Sequence, residues 1–175
     1  MTGGDVDARD AAVRLDGRVA QLLKVDLDYL ESAPLIVRSS AHIAAPRARV
    51  FAAIAQDPAG WGRWFPGFDG SGRWDSPVPH GVGSIRAVRA FGVRFRESIL
   101  AWDKDERWAF RVDEMSLPMS KAFAEDYRLS DDGDGTRLDW TVASQGVGLR
   151  LAGPLGPKVF QRVLTKAATK LGEIA

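Results

Sequence analysis

The chain has 175 residues, 45% of them hydrophobic and 27% charged, with a formal net charge of +1. That length suits one domain around one sizeable core, and the near-zero charge sets up no field that would draw in nucleic acid, so no nucleic-acid partner is expected. With no cysteine in the sequence, disulfides, zinc-thiolate sites and thiol nucleophiles are excluded.

The opening residues, MTGGDVDARD, are acidic and lack the basic start and apolar run of a secretory signal. No window approaches the roughly 18 apolar residues of a membrane span. A cytoplasmic protein without stable membrane insertion is therefore expected. Ala12, Leu15, Val19, Leu22 and Leu23 recur at helical spacing, although Gly17 weakens such a helix by about 1 kcal/mol. From there Val25, Leu27 and Tyr29 alternate with Lys24, Asp26 and Asp28. The pattern predicts an N-terminal arm over residues 1–33, a short helix followed by an extended segment, ahead of a ligand-binding domain over residues 34–175.

After Ala33-Pro34, LIVRSSAHI reads as a long strand that ends at Ala45-Pro46, where proline suits the start of a helix. Val50, Phe51, Ile54 and Ala55 form the apolar stripe of that helix. Asp57-Pro58 stops it and offers a cap for a second short helix through WGRWF. Strands are then predicted at about 68–75, 83–90, 93–102, 106–114, 119–130 and 136–145, separated by turn residues. Gly153-Pro154 and Gly156-Pro157 introduce a final helix. Its Val159, Phe160, Val163, Leu164, Ala167, Ala168 and Leu171 make a broad apolar stripe, while Lys158, Arg162, Lys166 and Lys170 form a basic row. The expected class is α+β: six or seven mostly antiparallel strands curling around one long C-terminal helix, with space between them.

Four segments resemble the helix-grip proteins of the START-like (SRPBCC) superfamily, which includes polyketide cyclase/dehydrase and lipid-transport proteins. They are IAAPRARVF, DPAGWGRWFPGF, RESILAWDKDERWAF and PKVFQRVLTKAATKL. The resemblance spans about residues 35–173 and leaves out the first 33. It implies a cavity between sheet and last helix for small hydrophobic molecules, lipids, sterols or polyketides in different members, only some of which are enzymes. It also places Trp61, Trp64, Phe65 and Phe68 at the cavity entrance.

One residue breaks the strand periodicity. Phe95, Ile99 and Ala101 mark the apolar face of one strand and Trp108, Phe110 and Val112 that of the next, yet Glu97 falls among the first group. A carboxylate there needs a partner or water. If Phe91-Gly92 is a two-residue hairpin turn, Arg86 stands opposite Glu97 and can pair with it. By parity Glu114 continues the Trp108 series inward, and Glu125 lies between Phe123 and Tyr127. Unequal burial of these acids can raise one pKa toward neutrality. The candidate catalytic residues are therefore Glu97, Glu125 and Tyr127, the last as a hydroxyl orienting a carbonyl. The candidate ligand-binding residues are Arg86, Glu97, Trp108, Phe110, Glu114, Trp140, Trp64 and Phe65. A purely structural Arg86–Glu97 pair explains the same pattern.

His42 and His80 stand alone, without a His-x-His pair or cysteine, so no metal and no cofactor is expected. Three readings follow. The main one is binding of a small hydrophobic ligand in an internal cavity. The second is a cyclase, aromatase or dehydratase using a cavity carboxylate. The third is an interaction module whose arm exposes Leu22, Val25, Leu27 or Tyr29 to a partner or to a second copy in a homodimer.

Overall fold

The computed structural model describes residues 19–146 and 156–175. Strand β1 (Ala20–Gln21) and a short helix α1 (Tyr29–Ser32) precede the long strand β2 (Leu35–Ile43). Helix α2 (Arg47–Phe51) runs on into a π-helical turn (Ala52–Gln56), and α3 (Trp61–Trp64) follows. Then come β3 (Arg73–Trp74), β4 (Ile85–Ala90), β5 (Val93–Asp103), β6 (Arg107–Met115), β7 (Ser120–Asp132) and β8 (Gly135–Gly146). Helix α4 (Gly156–Ile174) ends the chain.

The strands make one antiparallel sheet in the order β2-β8-β7-β6-β5-β4-β3, with β1 added against β6. Apart from the β2–β8 and β1–β6 pairs, neighbours in the sheet are neighbours in sequence, as expected where short turns join antiparallel strands. The sheet wraps the apolar face of α4, on which Leu164, Ala167, Ala168 and Leu171 are buried. Val159, which the sequence pattern puts in that stripe, is exposed, whereas the basic row of Lys158, Arg162, Lys166 and Lys170 lies on the solvent side as expected.

Two expected boundaries change. The expected strand at 68–75 shrinks to Arg73–Trp74, with Phe68 making only an isolated bridge to Ala90. Most of the expected helix from Ala12 to Leu23 lies outside the described residues. Within them, Ala20 and Gln21 pair with Met115 and Glu114, and the Leu22 and Leu23 amides donate to the Asp113 and Lys121 carbonyls. Tertiary pairing at the diverging ends of β6 and β7 outweighs helical spacing there. Tyr29 is helical rather than extended. Val25, Leu27 and Tyr29 pack with Leu30 on Ala124 and Ala143 of the outer sheet face, and Leu22 is buried in the main core. Leu22 is thus buried and Val25, Leu27 and Tyr29 are half-buried against the chain's own sheet, and among the described residues of this arm Leu23 is the largely exposed apolar one.

Candidate functional site

The turn between β4 and β5 sets the geometry. Phe91 and Gly92 both take positive φ, 50° and 77°, which is the backbone of a type I′ hairpin. Ala90 then faces Val93, and the register carries back to Arg86 opposite Glu97. Both side chains point inward and are almost fully buried, at 1% and 3% exposure. Arg86 donates through Nε to Glu97 Oε2. Its guanidinium lies 4.6, 4.4 and 4.8 Å from the ring centres of Trp61, Trp108 and Phe110. Three ring faces thus hold the buried cation, and neither Nη has a hydrogen-bond partner among the described residues.

The inward row continues across the sheet. Val112 faces Glu97, Phe110 faces Glu125, and Tyr127 faces Trp140. The Tyr127 hydroxyl and the Trp140 indole N–H, the latter at 3.0 Å, both donate to Glu125 Oε2. Burial, reinforced by the nearby Glu97 charge and opposed by these two donors, pushes the Glu125 carboxyl up to about 7. Glu97 is also raised by burial, with the Arg86 guanidinium opposing the shift. Burial and the neighbouring Glu125 raise Tyr127 well above the ordinary tyrosine range, so it remains a donor.

Glu114 does not join them. Between Arg96 and Glu97 the β5–β6 register slips by one residue at Asp113, so that Met115 takes the inward place opposite Phe95 and Glu114 pairs with Arg96 on the other face. There it borders a surface groove together with Arg73, Arg89 and Arg94. A second slip between Ile99 and Ala101 likewise brings Trp102, rather than Ala101, opposite Trp108.

A cavity of about 380 Å³ opens beside the inward row. Trp61, Phe65 and Phe68 from the α3 segment bound one side, Phe95, Phe110, Val112, Met115 and Phe123 the sheet side, and Phe91 and Met119 the rim, with Glu97, Glu125, Ser120 and Ser144 as polar points. Phe91 is 66% exposed, and its ring lies where a Cβ on Gly67 would come within 2.4 Å, so glycine at that turn lets the hairpin tip close on the α3 loop. Of the residues expected at a ligand site, Phe65, Phe110 and Glu97 line the cavity. Arg86, Trp64, Trp108 and Trp140 are buried behind its wall: Trp64 packs on Trp140, and Trp108 on Arg86 and Tyr127. Tyr127 also stands behind the wall, reaching the cavity only through Glu125. Phe95, on the apolar face expected of β5, lines the cavity with Phe123 and Met115, none of them among the expected ligand-binding residues; Met115 becomes inward only through the Asp113 bulge. His80 stacks on Trp74 and His42 lies 3.0 Å from Asp132, both away from the cavity lining.

The comparisons agree with this architecture. Residues 34–175 match the family model described as polyketide cyclase / dehydrase and lipid transport. Uncharacterized proteins of Mycobacterium tuberculosis and Mycobacterium bovis are 36% identical over 138 residues, covering 78% of each chain. Among solved structures, a START superfamily protein from Mycobacterium smegmatis superposes with a TM-score of 0.65 at 16% identity, over 79% of this chain and 96% of that one. A Thermus thermophilus protein gives 0.61 at 23% identity, over 79% and 95%. At such identities these structures speak for the fold alone, but the family match covers most of the sequence. The antiparallel sheet closed on its C-terminal helix and the matching family model together identify the chain as a member of the polyketide cyclase / dehydrase and lipid transport family, within the START-like (SRPBCC) superfamily of helix-grip proteins.

Proposed function

We propose that the protein binds a small hydrophobic molecule, lipid-like, sterol-like or polyketide-like, in the cavity between the sheet and the α3 segment; among the described residues none of α4 lines it, although the resemblance implied a cavity against the last helix. The observation that carries this reading is the cavity itself: about 380 Å³ bounded by aromatic and aliphatic side chains, with two carboxylates as its charged points among the described residues. A close-packed core fills such space with side chains, whereas small-molecule sites combine an apolar wall with a few placed polar groups. Native mass spectrometry of freshly purified protein, with extraction of any bound small molecule, tests it. A co-purifying hydrophobic molecule at one per chain supports the reading; an empty protein that also takes up no apolar probe contradicts it.

Catalysis is the second reading, and Glu125 is the observation that favours it. A carboxyl pushed up to about 7 beside a cavity is suited to proton transfer near neutral pH, and Tyr127 holds its orientation. A cyclase or dehydratase step would use Glu125 as acid and Glu97 as base. Glu125→Gln would then abolish turnover of a bound polyketide-like substrate while leaving its affinity within a few-fold, and full turnover by that variant would remove Glu125 from the chemistry.

A further inference from the structure

The two cavity carboxylates share an unusual feature. Glu97 Oε2 takes the Arg86 Nε–H, and Glu125 Oε2 takes both the Tyr127 hydroxyl and the Trp140 indole N–H. In each case Oε1 has no partner among the described residues, although both side chains are more than nine-tenths buried and both line the cavity. The two oxygens left for the cavity are acceptors, and acceptors call for a donor. Trp61, Phe65 and Phe110 line the same cavity; aromatic faces attract cations, and Trp61 and Phe110 already hold the Arg86 guanidinium on one side. No cationic side chain lines the cavity among the described residues; Arg86 is behind the wall, with its charge matched by Glu97.

Resting on the proposal that the cavity binds a hydrophobic molecule, we infer that its ligand carries a protonated amine, which Glu97 and Glu125 receive through their Oε1 atoms while its apolar body packs against the aromatic wall. The charged and titratable groups facing Glu125 are Glu97 from β5, Arg86 from β4 and Tyr127 from its own strand, while Trp140 from β8 adds a neutral donor. With Glu125 ionised, Arg86, Glu97 and Glu125 together carry one net negative charge. The ammonium takes the place of the Glu125 proton, so amine binding releases that proton at low pH. Affinity for an amine therefore rises with pH up to about 7 and then levels off, affinity for an anion of the same shape falls, and affinity for a neutral analogue stays flat.

Three probes of one skeleton test this: naphthylmethylamine, naphthylmethanol and naphthoic acid, each displacing the uncharged dye N-phenylnaphthylamine from the protein at about pH 5.5 and about pH 8. The expected order at the higher pH is amine, then alcohol, then acid, with the amine at least about tenfold tighter than the acid. The difference shrinks at the lower pH, and Glu125→Gln, which keeps an acceptor for Tyr127 and Trp140, removes its pH dependence. Naphthoic acid binding as tightly as the amine, or an amine preference that does not change with pH in the unmodified protein, overturns the inference while leaving the cavity as a binding site. Failure of the dye and of all three probes to bind overturns the binding proposal as well.

Discussion

Arg86 and Glu97 show how a buried ion pair constrains its surroundings. Desolvating both charges costs several kcal/mol, recovered only while the partners stay together. Replacing Arg86 by Met leaves Glu97 buried without its cation and is expected to lower stability by about 3–5 kcal/mol, read as the shift in urea midpoint at unchanged slope. Adding Glu97→Gln to that variant should recover much of the loss; a double variant no more stable than Arg86→Met alone would mean that the aromatic packing of Arg86, not the pair, is what matters. Glu125 behaves differently because its bonding partners among the described residues, Tyr127 and Trp140, are neutral. Its carboxyl, ordinarily near 4.5, is pushed up to about 7 in the folded chain, so the folded state holds the proton more tightly than the unfolded one. That contribution to stability is fully present below about 4.5 and is lost as pH rises through about 7, amounting to roughly 3 kcal/mol. Glu125→Gln should flatten the stability profile over this window, measured by urea unfolding at several pH values; an unchanged slope would show that Glu125 titrates normally. At this scale the sequence was informative where geometry is local. The Phe91-Gly92 turn fixed the pairing of Arg86 with Glu97, because a two-residue hairpin leaves a single register. Glu114 was misplaced because the bulge at Asp113 depends on how β5 and β6 meet over a distance that alternation alone does not encode.

The arm before β2 shows the same limit for whole elements. Over residues 20–23 the helical spacing, and after Leu23 the alternation, are weak local preferences, overridden by open backbone groups on β6 and β7 and by an outer sheet face that needs covering. Leu30, 3% exposed, is the anchor of that cover on Ala124 and Ala143. Leu30→Ala should cost about 2–4 kcal/mol, as large-to-small changes in packed sites do, and should speed amide exchange in β7 and β8. A loss below about 0.5 kcal/mol, the size of an ordinary surface substitution, would mean that the arm is not part of the folded unit. By contrast, β2, α2, α3 and strands β4 to β8 were legible to within a few residues, since each is bounded by turn or proline chemistry and carries a mostly apolar face, interrupted by Glu97 on β5 and Glu125 on β7.

In the whole molecule, the α3 segment and the curved sheet leave a space between them that their side chains do not fill, and the family match covers the residues that build it. The existence of the cavity followed from element order and resemblance. Its wall did not, because which rings line it and which stand behind depends on two register slips and on the packing of Trp64, Trp108 and Trp140 against one another and against Arg86. The central claim, that this space binds a small apolar molecule, is tested most directly by titrating N-phenylnaphthylamine into the protein and into Val112→Phe. That substitution grows a ring into the cavity from a buried position on β6. The account predicts saturable binding of one dye per chain, weakened at least about tenfold in Val112→Phe while its circular dichroism and unfolding temperature show it folded. Equal affinity in the folded variant, or no saturable binding to either, would contradict it.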